Sequence, residues 1–107
     1  MASVQLQISR TETGEYLVVV SGEGFYRADP HAKVGVRIKG DDKWFDDTLF
    51  TINLGFPGQI LPDGTFIMST TVSGNSLNED WGQDEIYALA TVDGFGEFKS
   101  NVVTGYF

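Results

Sequence analysis
Apolar residues recur at every second position in seven short segments spaced roughly ten residues apart, and nowhere at three-and-four spacing for three helical turns. That alternation sends successive side chains to opposite faces of an extended chain, so the sequence predicts sheets rather than helices. Val4, Leu6 and Ile8 mark the first segment. Tyr16, Val18 and Val20 mark the second, with Leu17 and Val19 making it apolar on both faces. Val34, Val36 and Ile38 form the third, Phe50, Ile52 and Leu54 the fourth, and Phe66, Met68, Thr70 and Val72 the fifth. Ile86, Ala88, Ala90 and Val92 form the sixth, backed by Tyr87 and Leu89, and the seventh runs from about residue 98 to 107 through Val102 and Val103. Turn residues separate them: Thr13-Gly14, Lys39-Gly40-Asp41-Asp42, Pro62-Asp63-Gly64, Ser73-Gly74-Asn75 and Asp93-Gly94. A single helical turn fits only at residues 77 to 84, with Ser76 as its cap.

Short strands at this spacing in 107 residues predict one domain over residues 1 to 107, an all-β sandwich of about seven antiparallel strands. Eight Phe, four Tyr and two Trp within a 41% hydrophobic composition supply a core, so neither disulfide nor metal is needed to hold it. The absence of cysteine excludes disulfides, thiol chemistry and cysteine-ligated metal, and it fits a reducing compartment and a cysteine-free extracellular module equally. A formal charge of −8 repels phosphate backbones and anionic lipid, which argues against nucleic acid and membrane as partners. No apolar run approaches the ~20 residues of a membrane span. The opening Met-Ala-Ser-Val-Gln lacks the basic flank and apolar stretch of a signal peptide, as for a protein made without one or a chain whose leader has been removed.

Three stretches carry a resemblance. Val20-Ser21-Gly22-Glu23-Gly24-Phe25, Asp63-Gly64-Thr65-Phe66, and Tyr87-Ala88-Leu89-Ala90-Thr91-Val92-Asp93-Gly94 followed by Ser100-Asn101 resemble, in order and spacing, the landmarks of bacterial and phage immunoglobulin-like domains. The resemblance implies an immunoglobulin-like sandwich in which the first motif closes the second strand and the second opens the fifth. It also implies a non-catalytic structural or adhesive role at an extracellular or virion surface. The stretch from residue 41 to 61 is longer and more aromatic than the family pattern, and no cysteine pair or central tryptophan matches antibody domains.

Catalytic constellations are wanting. His31 is the lone histidine and lies beside Pro30 without a Gly-x-Ser-x-Gly elbow, and the glycine clusters precede no helix able to receive a phosphate. Carboxylates are plentiful but fall in loops, where little desolvates them. The sequence therefore predicts a module that is not an enzyme and uses no cofactor.

If the strands follow the usual sandwich order, alternate loops share a pole. One pole collects Asp41, Asp42, Asn78, Glu79, Asp80 and Trp81, and the other Phe25, Tyr26, Arg27, Asp29, Phe56, Pro57 and Phe95. Were calcium held, Asp41, Asp42, Asn78 and Asp80 would ligate it, but no Asp-x-[Asp/Asn]-x-[Asp/Asn]-Gly loop is present, and solvated charge is the expectation. Tyr26, Phe56 and Phe95 are the predicted contact residues at the aromatic pole, with Phe95 projecting outward from a tight turn between two glycines. Trp44, among four carboxylates in residues 41 to 47, and Trp81 suit either a protein contact or stacking on a sugar, with a buried indole the plainer reading of Trp81. Two functions stay open: a module contacting another protein or copies of itself, and a carbohydrate-binding module using those exposed rings.

Overall fold
Each alternating segment becomes a strand. In the computed structural model, which describes residues 1–29, 32–41, 47–54, 60–77 and 84–107, the chain runs through β1 (Ser3–Arg10), β2 (Tyr16–Glu23), β3 (Val34–Gly40), β4 (Asp47–Leu54) and β5 (Phe66–Val72). A four-residue helix α1 (Gly74–Leu77) follows, then β6 (Asp84–Val92), β7 (Gly96–Lys99) and β8 (Val103–Gly105). The strands form two antiparallel sheets, β1-β2-β5 and β4-β3-β6-β7 with β8 also beside β6, so the molecule is an all-β sandwich. β4 returns onto β3 and lies in the larger sheet, whereas constant-type antibody domains place their fourth strand beside the fifth.

Register follows the alternation. Leu6 faces Val20 and Val20 faces Met68 across the small sheet, and Val36 faces Ala90 and Ile38 faces Ala88 across the large one. Val18, Val20, Val36, Ile38, Ala88 and Ala90, the residues that period two turns inward, are all buried. Each valine, isoleucine or leucine in this layer contributes about 1.5–3 kcal/mol by leaving water.

A helical turn spans Gly74–Leu77, where Ser73 starts it: its carbonyl accepts the Ser76 N–H at 3.0 Å. The turn expected at residues 77 to 84 falls, from 78 to 83, outside the described residues. Leu77 is fully buried, so the turn serves to drop one side chain into the core. The seventh strand is two. Ser100 breaks it, because its Oγ accepts the Ala88 N–H at 2.8 Å and its own N–H donates to the Ala88 carbonyl at 2.9 Å.

The break frees Asn101 to cross between the sheets. Its Oδ1 accepts the Leu6 N–H at 2.9 Å and its Nδ2 donates to the Leu6 carbonyl at 3.1 Å, so one side chain does for the edge of β1 what a neighbouring strand would do. Among the described residues no helix is long and apolar enough to cross a membrane.

Candidate functional site
One pole of the sandwich is built around Phe25, which leaves β2 and enters the core completely. Its ring meets Phe66 at 5.5 Å, Phe95 at 5.3 Å and Phe98 at 5.0 Å between centroids, the last two edge-on, a geometry that aromatic quadrupoles favour. Gly22 makes room for this plug, because a Cβ there would collide with the Phe66 ring. The Ser-Gly-x-Gly-Phe stretch thus ends β2 by turning a ring inward.

The plug ties three connections together. In the β4–β5 connection, Pro62 and Asp63 form a turn closed by the Gly64 N–H to the Leu61 carbonyl at 2.9 Å, and the Leu61 N–H donates to the Thr65 carbonyl. Gly64, at φ +82°, accepts the Phe25 N–H on its carbonyl at 2.9 Å, and a Cβ there would lie 3.1 Å from both Phe25 backbone and the Tyr26 ring. Asp63 locks this turn by accepting the Thr65 hydroxyl at 2.6 Å and the Thr65 N–H at 3.1 Å. These bonds, the hydroxyl's first, hold its carboxyl below the ordinary aspartate range.

On this base stand Tyr26, 65% exposed, and Arg27, an exposed side chain whose backbone is left-handed at φ +61°. Bulky residues adopt that conformation at a cost of roughly 1–2 kcal/mol, borne where surrounding structure over-determines it. Arg27, Ala28, Asp29 and Ala32 form one wall of an open pocket of about 380 Å³, and Asp93, Gly94 and Phe95 form the other. Asp93 fixes the two walls together, since its Oδ2 accepts the Lys33 N–H at 3.0 Å and its own N–H donates to the Lys33 carbonyl at 3.1 Å. The pocket lining thus combines the cation of Arg27 and the carboxylates of Asp29 and Asp93 with the apolar side chains of Ala28, Ala32 and Phe95.

The predicted pole therefore brings Tyr26 and Phe95 onto connections held to one another through Phe25. Phe95 differs from expectation: 37% exposed, it lays its ring against Phe25 and half belongs to the plug, because Gly94 and Gly96, both at positive φ, turn it back toward the core. Phe56, Trp44 and Trp81 lie outside the described residues, as do Asp42, Asn78 and Asp80 of the acidic pole and His31. Asp41 is described, and its N–H donates to the Glu85 carbonyl at 2.7 Å. Among the described residues no three carboxylate or imidazole groups converge as a metal site would require. Sequence reasoning placed Arg27 at this pole without singling it out, because a backbone angle leaves no local mark in composition. It missed Asn101 as a bridge, for which the Ser100-Asn101 pair after the sixth strand was the sole signal.

This architecture defines an all-β sandwich carrying an aromatic loop pole. No family model and no curated protein matches the chain. Among solved structures, that of a hypothetical protein from Pyrococcus horikoshii is similar, with a TM-score of 0.50 and 13% identity over 95% of this chain and 86% of its own. That likeness concerns the fold alone.

Proposed function
We propose that this chain is a non-catalytic protein-binding module, of the structural or adhesive kind, that contacts its partner through the pole bearing Tyr26, Arg27 and Phe95. The observation that carries the reading is an exposed Tyr beside an exposed Arg in a strained backbone, both standing on a loop fixed by the buried Phe25. Tyr and Arg dominate interface hot spots because they combine large contact area with directional hydrogen bonding, and a rigid base spares them the entropy of ordering on binding. The rings of Tyr26 and Phe95 with the Arg27 cation beside them, on a molecule of net charge −8, favour a protein surface with an acidic rim around an apolar patch. The resemblance to bacterial and phage immunoglobulin-like domains supports a role in a surface or virion assembly. The carbohydrate-binding alternative depends on Trp44 and Trp81, and no described residue favours it.

Site-specific photocrosslinking tests the reading. A benzoylphenylalanine at position 26, in chain expressed in its native host, should give a discrete protein adduct that Arg27→Ala abolishes, whereas the same probe at Thr104 on β8 should give none. A chain that forms no adduct at position 26, or that binds a glycan array unaffected by Arg27→Ala, sinks the proposal.

A further inference from the structure
Only two aspartates of the chain, Asp63 and Asp93, precede a glycine, and no asparagine does. In such a pair no Cβ shields the glycine nitrogen, which can reach the carboxyl carbon before it wherever the peptide between them is free to turn. The two pairs differ in that freedom. At the first, the Gly64 N–H is bonded to the Leu61 carbonyl, the Gly64 carbonyl accepts the Phe25 N–H, and Gly64 is buried. The bonds from Thr65 fix the Asp63 carboxyl and favour its ionised form, which resists attack.

At the second, Val92 to Phe95 form a turn closed by the Phe95 N–H on the Val92 carbonyl at 2.9 Å. Gly94 lies at φ +83° and Asp93 is not at positive φ, which makes the turn type II. Among the described residues neither the Asp93 carbonyl nor the Gly94 N–H has a bonding partner, both residues are exposed, and a Cβ on Gly94 would meet nothing within 4 Å. The peptide between them can therefore flip without breaking a bond. Glycine tolerates the change in φ, and the flip carries the Gly94 nitrogen past Cγ of Asp93. The carboxyl itself is held through Oδ2 alone, on the Lys33 N–H.

We propose that Asp93, and not Asp63, is the Asp-Gly site at which the folded chain converts an aspartate to isoaspartate. The Gly94 nitrogen attacks Cγ of the protonated Asp93 carboxyl, the N–Cγ bond forms, and the amide proton and carboxyl hydroxyl leave as water, giving a succinimide ring. Water then opens the ring. Attack at Cγ restores aspartate, whereas attack at the main-chain carbonyl leaves the chain running through Cβ and Cγ, an isoaspartate of unchanged mass. The backbone is then one methylene longer and its free carboxylate sits on the α-carbon, so the turn no longer fits Lys33 on one side and Phe25 on the other. This chemistry needs only water and does not depend on what the Tyr26 pole binds.

Peptide mapping by mass spectrometry on the full chain, aged in mildly acidic buffer at physiological temperature, tests this, with isoaspartate located by enzymatic methylation. The folded chain should accumulate it at position 93 at least about tenfold faster than at position 63, the ratio that one further hydrogen bond to break produces. In guanidinium chloride, where both turns are gone, the two rates should come together. Asp93→Asn and Asp63→Asn give a second readout, because each keeps an oxygen for the backbone N–H it accepts and closes its ring with loss of ammonia instead of water. With thermal midpoints showing both variants folded, Asp93→Asn should deamidate while Asp63→Asn stays intact over the same interval. Should either variant fail to fold, the wild-type comparison decides. Equal rates at the two positions in the folded chain, a faster rate at 63, or no isoaspartate at 93 overturns the proposal. A difference that persists in denaturant also overturns it, because neighbouring sequence rather than the fold would then set the rates.

Discussion
Phe25 does two things at once: it closes the core beneath three connections and it sets the position of the rings above it. Phe25→Ala should lose about 3–5 kcal/mol of unfolding free energy by denaturant titration, since it vacates a site touched by three other rings. Phe95→Ala should cost less, about 1–2 kcal/mol, because part of that ring already faces water and its loss forfeits one edge-on pair. A midpoint unmoved by Phe95→Ala would mean the ring swings free of Phe25 in solution. Asp63 provides a second test. Its folded carboxyl is held below the unfolded value, so what it adds to the turn is complete above the unfolded value and fades as pH falls through the folded one. An NMR titration should find Asp63 below an aspartate in an unstructured peptide, and Thr65→Val, which deletes the hydroxyl donor, should move it back up. No upward movement would assign the depression to something other than Thr65.

At the scale of elements, the strands were legible because burial on one face of a sheet writes itself into every second residue, and β1, β2, β3, β5 and β6 all carry that mark. The division between β7 and β8 was not. Val102 and Val103 keep the run apolar, while the break comes from one hydroxyl bonding a strand elsewhere, which no local pattern records. The same holds for α1, too short for a period to show, whose single buried Leu77 reads as well in a loop. The aromatic pole was half legible: sandwich order gathers Tyr26 and Phe95, but a ring flanked by glycines reads as a projecting tip, and only packing reveals that it folds back onto Phe25. Asn101 yields an element-scale prediction. Asn101→Ala should cost about 1–3 kcal/mol in denaturant unfolding, because a partly buried N–H and carbonyl on β1 lose their partners together. Asn101→Asp should also destabilise, since it keeps the acceptor for the N–H but turns an oxygen toward the carbonyl. Wild-type stability in both variants would show that water replaces the amide at no cost.

For the molecule as a whole, net charge works against association. Repulsion between copies falls as the pH approaches the isoelectric point near 4.3, so light scattering at fixed concentration should rise on acidification toward that value and fall when salt-free buffer is returned to neutrality. Scattering that stays flat across that range would show that charge does not restrain association. The bond between Asn101 and Leu6 has a different reach, because it joins residues 95 apart in sequence. Such a distant closure comes late in folding, after the entropy of ordering nearly the whole chain has been met. On the ribosome, then, the first strand to emerge keeps its outer backbone groups unoccupied until the codon for Asn101 has been read and its residue has cleared the exit tunnel. A nascent chain stalled before that point would leave the outer edge of β1 open, so a residue made long after the earliest strand decides whether that strand is protected.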